Sequence, residues 1–186
     1  MRNIAIIALL LACVSVAGNA GNRKEFDLMK QENMKMKDKA EIYLAGGCFW
    51  GTEHFLKQIR GVEQTEVGYA NSQVPNPTYK EVCTGNTGAV ETVKVVYDPR
   101  TVDLDLLLDL YFQTIDPTSV NRQGGDSGLQ YRTGIYYIDK DDAPVIEAAI
   151  KDLAKDYAKP IAIEVMPLVN SVSYTHLRAH ETELHL

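Results

Sequence analysis

Cysteine is scarce in this chain: three in 186 residues, at Cys13, Cys48 and Cys83, with no Cys-x-x-Cys and no Cys/His pairing at ligand spacing. That disfavours structural zinc and a thioredoxin-type dithiol. Basic charge is also short, with 19 Lys and Arg against 25 Asp and Glu and a net charge of -6. No basic stripe is available to neutralise phosphates, which argues against a nucleic-acid surface. Tryptophan occurs once, at Trp50, and three of the four histidines crowd into the last residues. The apolar run from Ile4 to Ala12 is too short for a transmembrane helix. Repeats and low-complexity tracts are missing. What remains, 45% hydrophobic and 24% charged, suits one globular domain with a real core.

The two ends differ from that body. Met1-Arg2-Asn3 and the apolar run after it have the basic start and short core of an export signal over residues 1–20. Two endings compete. Leu10-Leu11-Ala12-Cys13 resembles a bacterial lipobox, which would place a lipid on Cys13 and anchor the chain to a membrane. Ordinary cleavage after Ala20 is the other. Either way the mature protein is expected to be exported, periplasmic or lipid-anchored. Residues 21–39, rich in Lys, Asn, Met and Asp, read as a solvated linker. At the far end, residues 171–186 have no apolar period and read as an atypical, non-native tail.

Within the body, Ala45-Gly46-Gly47-Cys48-Phe49-Trp50-Gly51 stands out. A short strand over Glu41 to Leu44 leads in, and apolar residues at helical spacing follow, so Cys48 falls on the turn into a helix. Two glycines let the backbone bend there. A helix N-terminus has unpaired N–H groups and partial positive charge, which favours thiolate over thiol. A buried structural cysteine is the ordinary alternative, but it needs neither a glycine pair before it nor two large rings after it. A reactive thiol beside an aromatic pocket is the favoured reading.

Further along, strands are predicted over Val62 to Tyr69, Glu91 to Tyr97, Arg132 to Asp139 and Ile161 to Leu168. Helices are predicted over Leu104 to Ile115, with Asp103 as N-cap, and over Ala143 to Tyr157. Thr78 to Val82 is long enough for one helical turn. A long glycine-bearing loop spans Asp116 to Gln130, a length that often signals function. The order β-α-β-β-α-β-α-β argues for an α+β fold, a ferredoxin-like two-layer sandwich with a mixed sheet and flanking helices.

Several motifs then fall into one ordered pattern. Gly47-Cys48-Phe49-Trp50-Gly51 is followed by Val67-Gly68-Tyr69-Ala70, Pro77-Thr78-Tyr79, Val82-Cys83-Thr84-Gly85, Glu91 and Val96-Tyr97-Asp98-Pro99. Asp116-Pro117-Thr118, Asn121-Arg122-Gln123-Gly124, Asp126, Gly128 and Gln130-Tyr131-Arg132 complete it. Across residues 40–170 the chain resembles the A-type peptide-methionine sulfoxide reductases. The resemblance implies an enzyme that reduces the S-epimer of methionine sulfoxide, free or in oxidised proteins, through a cysteine sulfenic acid. It implies Cys48 as nucleophile and Glu91 as the acid that protonates the departing oxygen. Phe49 and Trp50 match the cage for the substrate methyl. Tyr79 and Tyr131 match the pair that hydrogen-bonds the sulfoxide oxygen, and Asp126 matches an acidic organiser on the site loop. Cys83 matches a buried, non-catalytic position, His54 reads as a surface residue, and Arg122 and Arg132 as structural ion-pair donors. No cofactor is implied; an external thiol, thioredoxin-like or a small dithiol, regenerates the enzyme, which is expected to act as a monomer. Residues 171–186 lack the aromatic-rich, cysteine-bearing ending usual in relatives. Two other classes remain open: another cysteine-dependent enzyme, peroxidase or hydrolase, and a lipid-anchored binding module using the aromatic pocket.

Overall fold

Strands form where β-branched and aromatic residues alternate, and here that alternation sorts cleanly onto two faces. A computed structural model describes residues 39–174. The expected export signal, the Cys13 lipid site and the linker up to residue 38 lie outside the described residues, as does most of the expected tail.

The elements are β1 (Ala40–Gly46), α1 (Phe49–Leu56), β2 (Val62–Ala70), α2 (Tyr79–Cys83), β3 (Val90–Tyr97) and α3 (Leu104–Phe112). They continue as a two-residue ribbon, β4 (Arg122–Gln123) and β5 (Asp126–Ser127), then a 3-10 turn at Leu129–Tyr131, β6 (Thr133–Tyr137), α4 (Asp142–Leu153), β7 (Glu164–Pro167) and β8 (Ser171–Ser173). The main sheet runs β7-β6-β1-β3-β2-β8. Its inner four strands, β6-β1-β3-β2, pair antiparallel and realise the expected ferredoxin-like arrangement. β7 adds a parallel edge beside β6, which makes the sheet mixed.

One face of the sheet holds Ile42, Leu44, Val67, Tyr69, Val93, Val95 and Ile135, packed with Leu56, Leu107, Leu108, Tyr111 and Ile146 from the helices. Tyr43, Ala45, Val90 and Tyr136 point the other way and form a smaller cluster with Met166 and Leu168. The period-2 phase of each strand therefore decides which residues meet the helix layer. Glu91 shares the phase of Val93 and Val95, so it faces the helices. No helix among the described residues is long and apolar enough to cross a membrane.

Several boundaries move for local reasons. α3 stops at Phe112 rather than Ile115, because the Thr114 amide and hydroxyl both turn back to the Tyr111 carbonyl, at 2.9 Å and 2.7 Å. A hydroxyl that satisfies a terminal carbonyl competes with another helical turn. The expected loop over 116–130 carries the β4–β5 ribbon and the 3-10 turn. The expected boundary at residue 170 falls inside the sheet, since Ser171–Ser173 pairs antiparallel with β2 from Gly68 to Ala70.

Candidate active site

Cys48 is the N-cap residue of α1, half-buried at the end of the central strand β1. Its carbonyl accepts from the Gly51 and Thr52 amides at 3.1 and 3.2 Å, and from the Thr52 hydroxyl at 3.3 Å. The same hydroxyl reaches back to the Gly46 carbonyl at 3.1 Å, so buried Thr52 ties strand end to helix start. Below the turn, the Tyr111 hydroxyl donates to the Ala45 carbonyl at 2.6 Å.

Gly47 is needed twice over. Its φ of +80° lies in the left-handed region, and a Cβ there would stand 2.6 Å from the Gln123 Cβ. Gln123 cannot retreat easily, because its amide bonds both the Asp116 carbonyl and the Asp116 N–H at 2.8 Å. Gly47→Ala should therefore lower thermal stability, by about 1–3 kcal/mol for the strained backbone alone, and slow the reaction by displacing Cys48. A thermal melt with a parallel activity assay checks this; an unchanged melt would mean that the turn relaxes freely.

The rings close around the helix mouth. Phe49 is buried, while Trp50 is half exposed and meets it edge-on with centroids 5.4 Å apart. Tyr69 lies against Phe49 at 5.9 Å, and Tyr174 packs edgewise on Phe49, Trp50 and Tyr69 at 5.2, 5.8 and 6.1 Å. Phe49 and Trp50 thus come together as expected, but they form half of a four-ring cluster. Tyr174 belongs to the segment expected to be a non-native tail, yet it walls this pocket.

Glu91 is 3% exposed on β3. Its Oε2 accepts from the Phe49 amide at 3.1 Å, which holds the carboxyl one residue from the Cys48 sulfur. Burial pushes its pKa up to about 7; the Phe49 amide opposes this and the Asp126 charge adds to it. A carboxyl in that range can give up a proton near neutral pH.

The expected hydroxyls divide. Tyr131, on the 3-10 turn, feels burial first and then the charges of Glu91 and Asp126, all raising its pKa. Tyr79 opens α2, behind a capping box made by Thr78 and Glu81. The Cys83 side chain, one helical turn along, leads the push of its pKa up to about 12. Asp126 is exposed on β5 and has no side-chain hydrogen bond among the described residues; it acts on Glu91 through charge.

Cys83 departs from its expected buried place. It is exposed at the C-terminal end of α2, because Val82 takes the inward position and is 1% exposed. Arg132 does serve the framework, bonding Glu164 at 3.1 Å and the Gly88 and Leu129 carbonyls. Arg122 bonds the Gly124 carbonyl at 2.9 Å, and His54 is exposed on α1. Thr52, Tyr69, Gln123 and Tyr174 are the site residues to which sequence reasoning gave no role. Tyr69 carried a signal, since it shares the strand phase of Val67 on the helix side.

The family model described as peptide methionine sulfoxide reductase matches residues 40–180. A peptide methionine sulfoxide reductase MsrA of Lachnoclostridium phytofermentans is 57% identical over 129 residues, covering 69% of this chain and 78% of that one. Among solved structures, Mxr1 of Saccharomyces cerevisiae in reduced form superposes with a TM-score of 0.70 at 31% identity, covering 81% of this chain and 89% of that one. Mxr1 in complex with Trx2 shares the fold at a TM-score of 0.56 and 23% identity, covering 73% and 81%.

Proposed function

The chain belongs to the peptide methionine sulfoxide reductase family, and from that premise we propose named roles for its residues in reducing methionine sulfoxide. It is an oxidoreductase, a peptide-methionine (S)-S-oxide reductase, whose reaction repairs oxidised proteins. One observation carries the assignment of roles: a buried carboxyl with a pKa near 7, held on the Phe49 amide beside Cys48.

The Cys48 sulfur attacks the sulfoxide sulfur as a thiolate. Glu91 supplies a proton to the sulfoxide oxygen, which passes to the cysteine as sulfenic acid while the substrate leaves as a thioether. Two electrons move from the cysteine sulfur to the substrate sulfur, so this half-reaction needs no further reductant. The ring cluster receives the methyl group, and Tyr131 with Tyr79 faces the oxygen.

Such a pocket discriminates by handedness. Inverting the sulfur would put oxygen against the rings and carbon against the hydroxyls, leaving buried donors unpaired. Given the two separated epimers of an N-blocked methionine sulfoxide, the protein should consume only the S form. Equal consumption of both would mean that the rings do not hold the methyl.

A thioredoxin-like dithiol then returns Cys48 to its thiol. Support comes from the half-buried position of Cys48 at the helix mouth, two residues before exposed Trp50. Mxr1, which shares the fold, has been seen with Trx2. The exported or lipid-anchored location belongs to the same proposal and rests on the basic start and apolar run of residues 1–20.

A further inference from the structure

Two buried side-chain polar atoms among the described residues have no hydrogen-bond partner, Asn71 Nδ2 and the hydroxyl of Tyr69, and the second lies beside the site. Tyr69 is 0% exposed, and its hydroxyl has no hydrogen-bond partner among the described residues. Two other buried phenols are satisfied: Tyr111 donates to the Ala45 carbonyl and Tyr136 to the Glu164 carboxylate, both at 2.6 Å. A buried donor left unpaired is costly, and folded proteins keep few of them.

Its position gives the reason for tolerating it. The β2–β3 register sets Tyr69 directly opposite Glu91, with both side chains on the helix face. Residues so paired have Cβ atoms within about 5.5 Å. The Tyr69 ring packs against Phe49 and Tyr174 of the site, with centroids 5.9 and 6.1 Å away, and Glu91 is the charge that acts most on its hydroxyl.

We infer that Tyr69 is a further catalytic residue, whose hydroxyl donates to the sulfoxide oxygen beside Glu91 as that oxygen gains negative charge. This rests on the proposed reduction at Cys48. Burial and the Glu91 charge hold the Tyr69 hydroxyl well above its ordinary pKa, so it remains an O–H donor throughout the working range and passes no proton itself. The proton still comes from Glu91; Tyr69 steadies the charge until it arrives. A fixed donor in a site of low dielectric is the arrangement that lowers a barrier most per bond.

Tyr69→Phe keeps the ring that packs on Phe49 and removes only the oxygen. Single-turnover formation of methionine from the S-sulfoxide should fall about 10- to 100-fold, somewhat less than the loss of a principal oxyanion donor. Thermal stability should hold or rise, because an unsatisfied buried hydroxyl is gone. The rate should retain the wild-type pH profile, since Glu91 is untouched. An unchanged single-turnover rate in a folded variant overturns the inference. A fall in the melting temperature overturns it too, by showing that the hydroxyl is bonded within the fold. Wild-type protein that reduces neither epimer would instead sink the underlying reading of Cys48.

Discussion

Replacing Glu91 by Gln should slow the first turnover by about 10²–10⁴-fold, the usual contribution of a general acid. The substitution is nearly isosteric, and its amide oxygen still accepts from the Phe49 N–H, so the turn at Cys48 should keep its shape. What disappears is the proton. Burial raises the Glu91 pKa from 4.5 to about 7, so the acid form is present below that value and lost as pH rises through it. The wild-type single-turnover rate should therefore carry a limb that falls above about pH 7. The Gln variant should lack that limb. Stability follows with its own sign. Between 4.5 and about 7 the folded state keeps a proton that the unfolded chain has released. Folding is thus weakened as pH rises across that window, and Glu91→Gln should flatten the dependence. Rapid-quench measurements across the pH range decide the matter. A Gln variant as fast as wild type at neutral pH would remove Glu91 from the mechanism.

Cys48→Ser should abolish methionine formation altogether while leaving capture of the sulfoxide intact. A serine hydroxyl is a far weaker nucleophile at neutral pH and cannot take up the oxygen as a sulfenic acid. The ring pocket and the Glu91–Phe49 contact do not depend on the sulfur, so calorimetric titration with an N-blocked S-sulfoxide should still show binding. Retained turnover would transfer the chemistry elsewhere. This variant also separates the enzyme from the binding-module reading, in which the wild type binds the sulfoxide without consuming it.

How far these roles were legible in the sequence depends on what each signal encodes. The Gly46-Gly47 pair announced the bend at Cys48 directly, because φ of +80° at Gly47 is a local backbone demand. Glu91 was named through resemblance, yet the strand itself held the clue. Val93, Val95 and Tyr97 share its phase and are all buried, so the carboxyl had to face the core. Cys83 went the other way. In a helix of five residues only one side chain is well buried, and Val82 fills that place. Tyr174 was invisible for a different reason. It directly follows the three-residue strand β8, an edge addition to β2 formed by pairing across about a hundred residues, and no local apolar period records such a contact. Gln123 and Thr52 likewise act through bonds to distant or backbone atoms, which composition and spacing do not encode.

The most direct test of the central claim is to catch the oxygen on Cys48. Reduced protein is mixed with a limiting amount of N-blocked methionine S-sulfoxide in the presence of a sulfenic-acid-selective 1,3-dione, then mapped by peptide mass spectrometry. The account predicts one methionine formed per adduct, with the adduct on the peptide carrying Cys48. Methionine formed while the Cys48 thiol stays unmodified, or an adduct confined to Cys83, would contradict it.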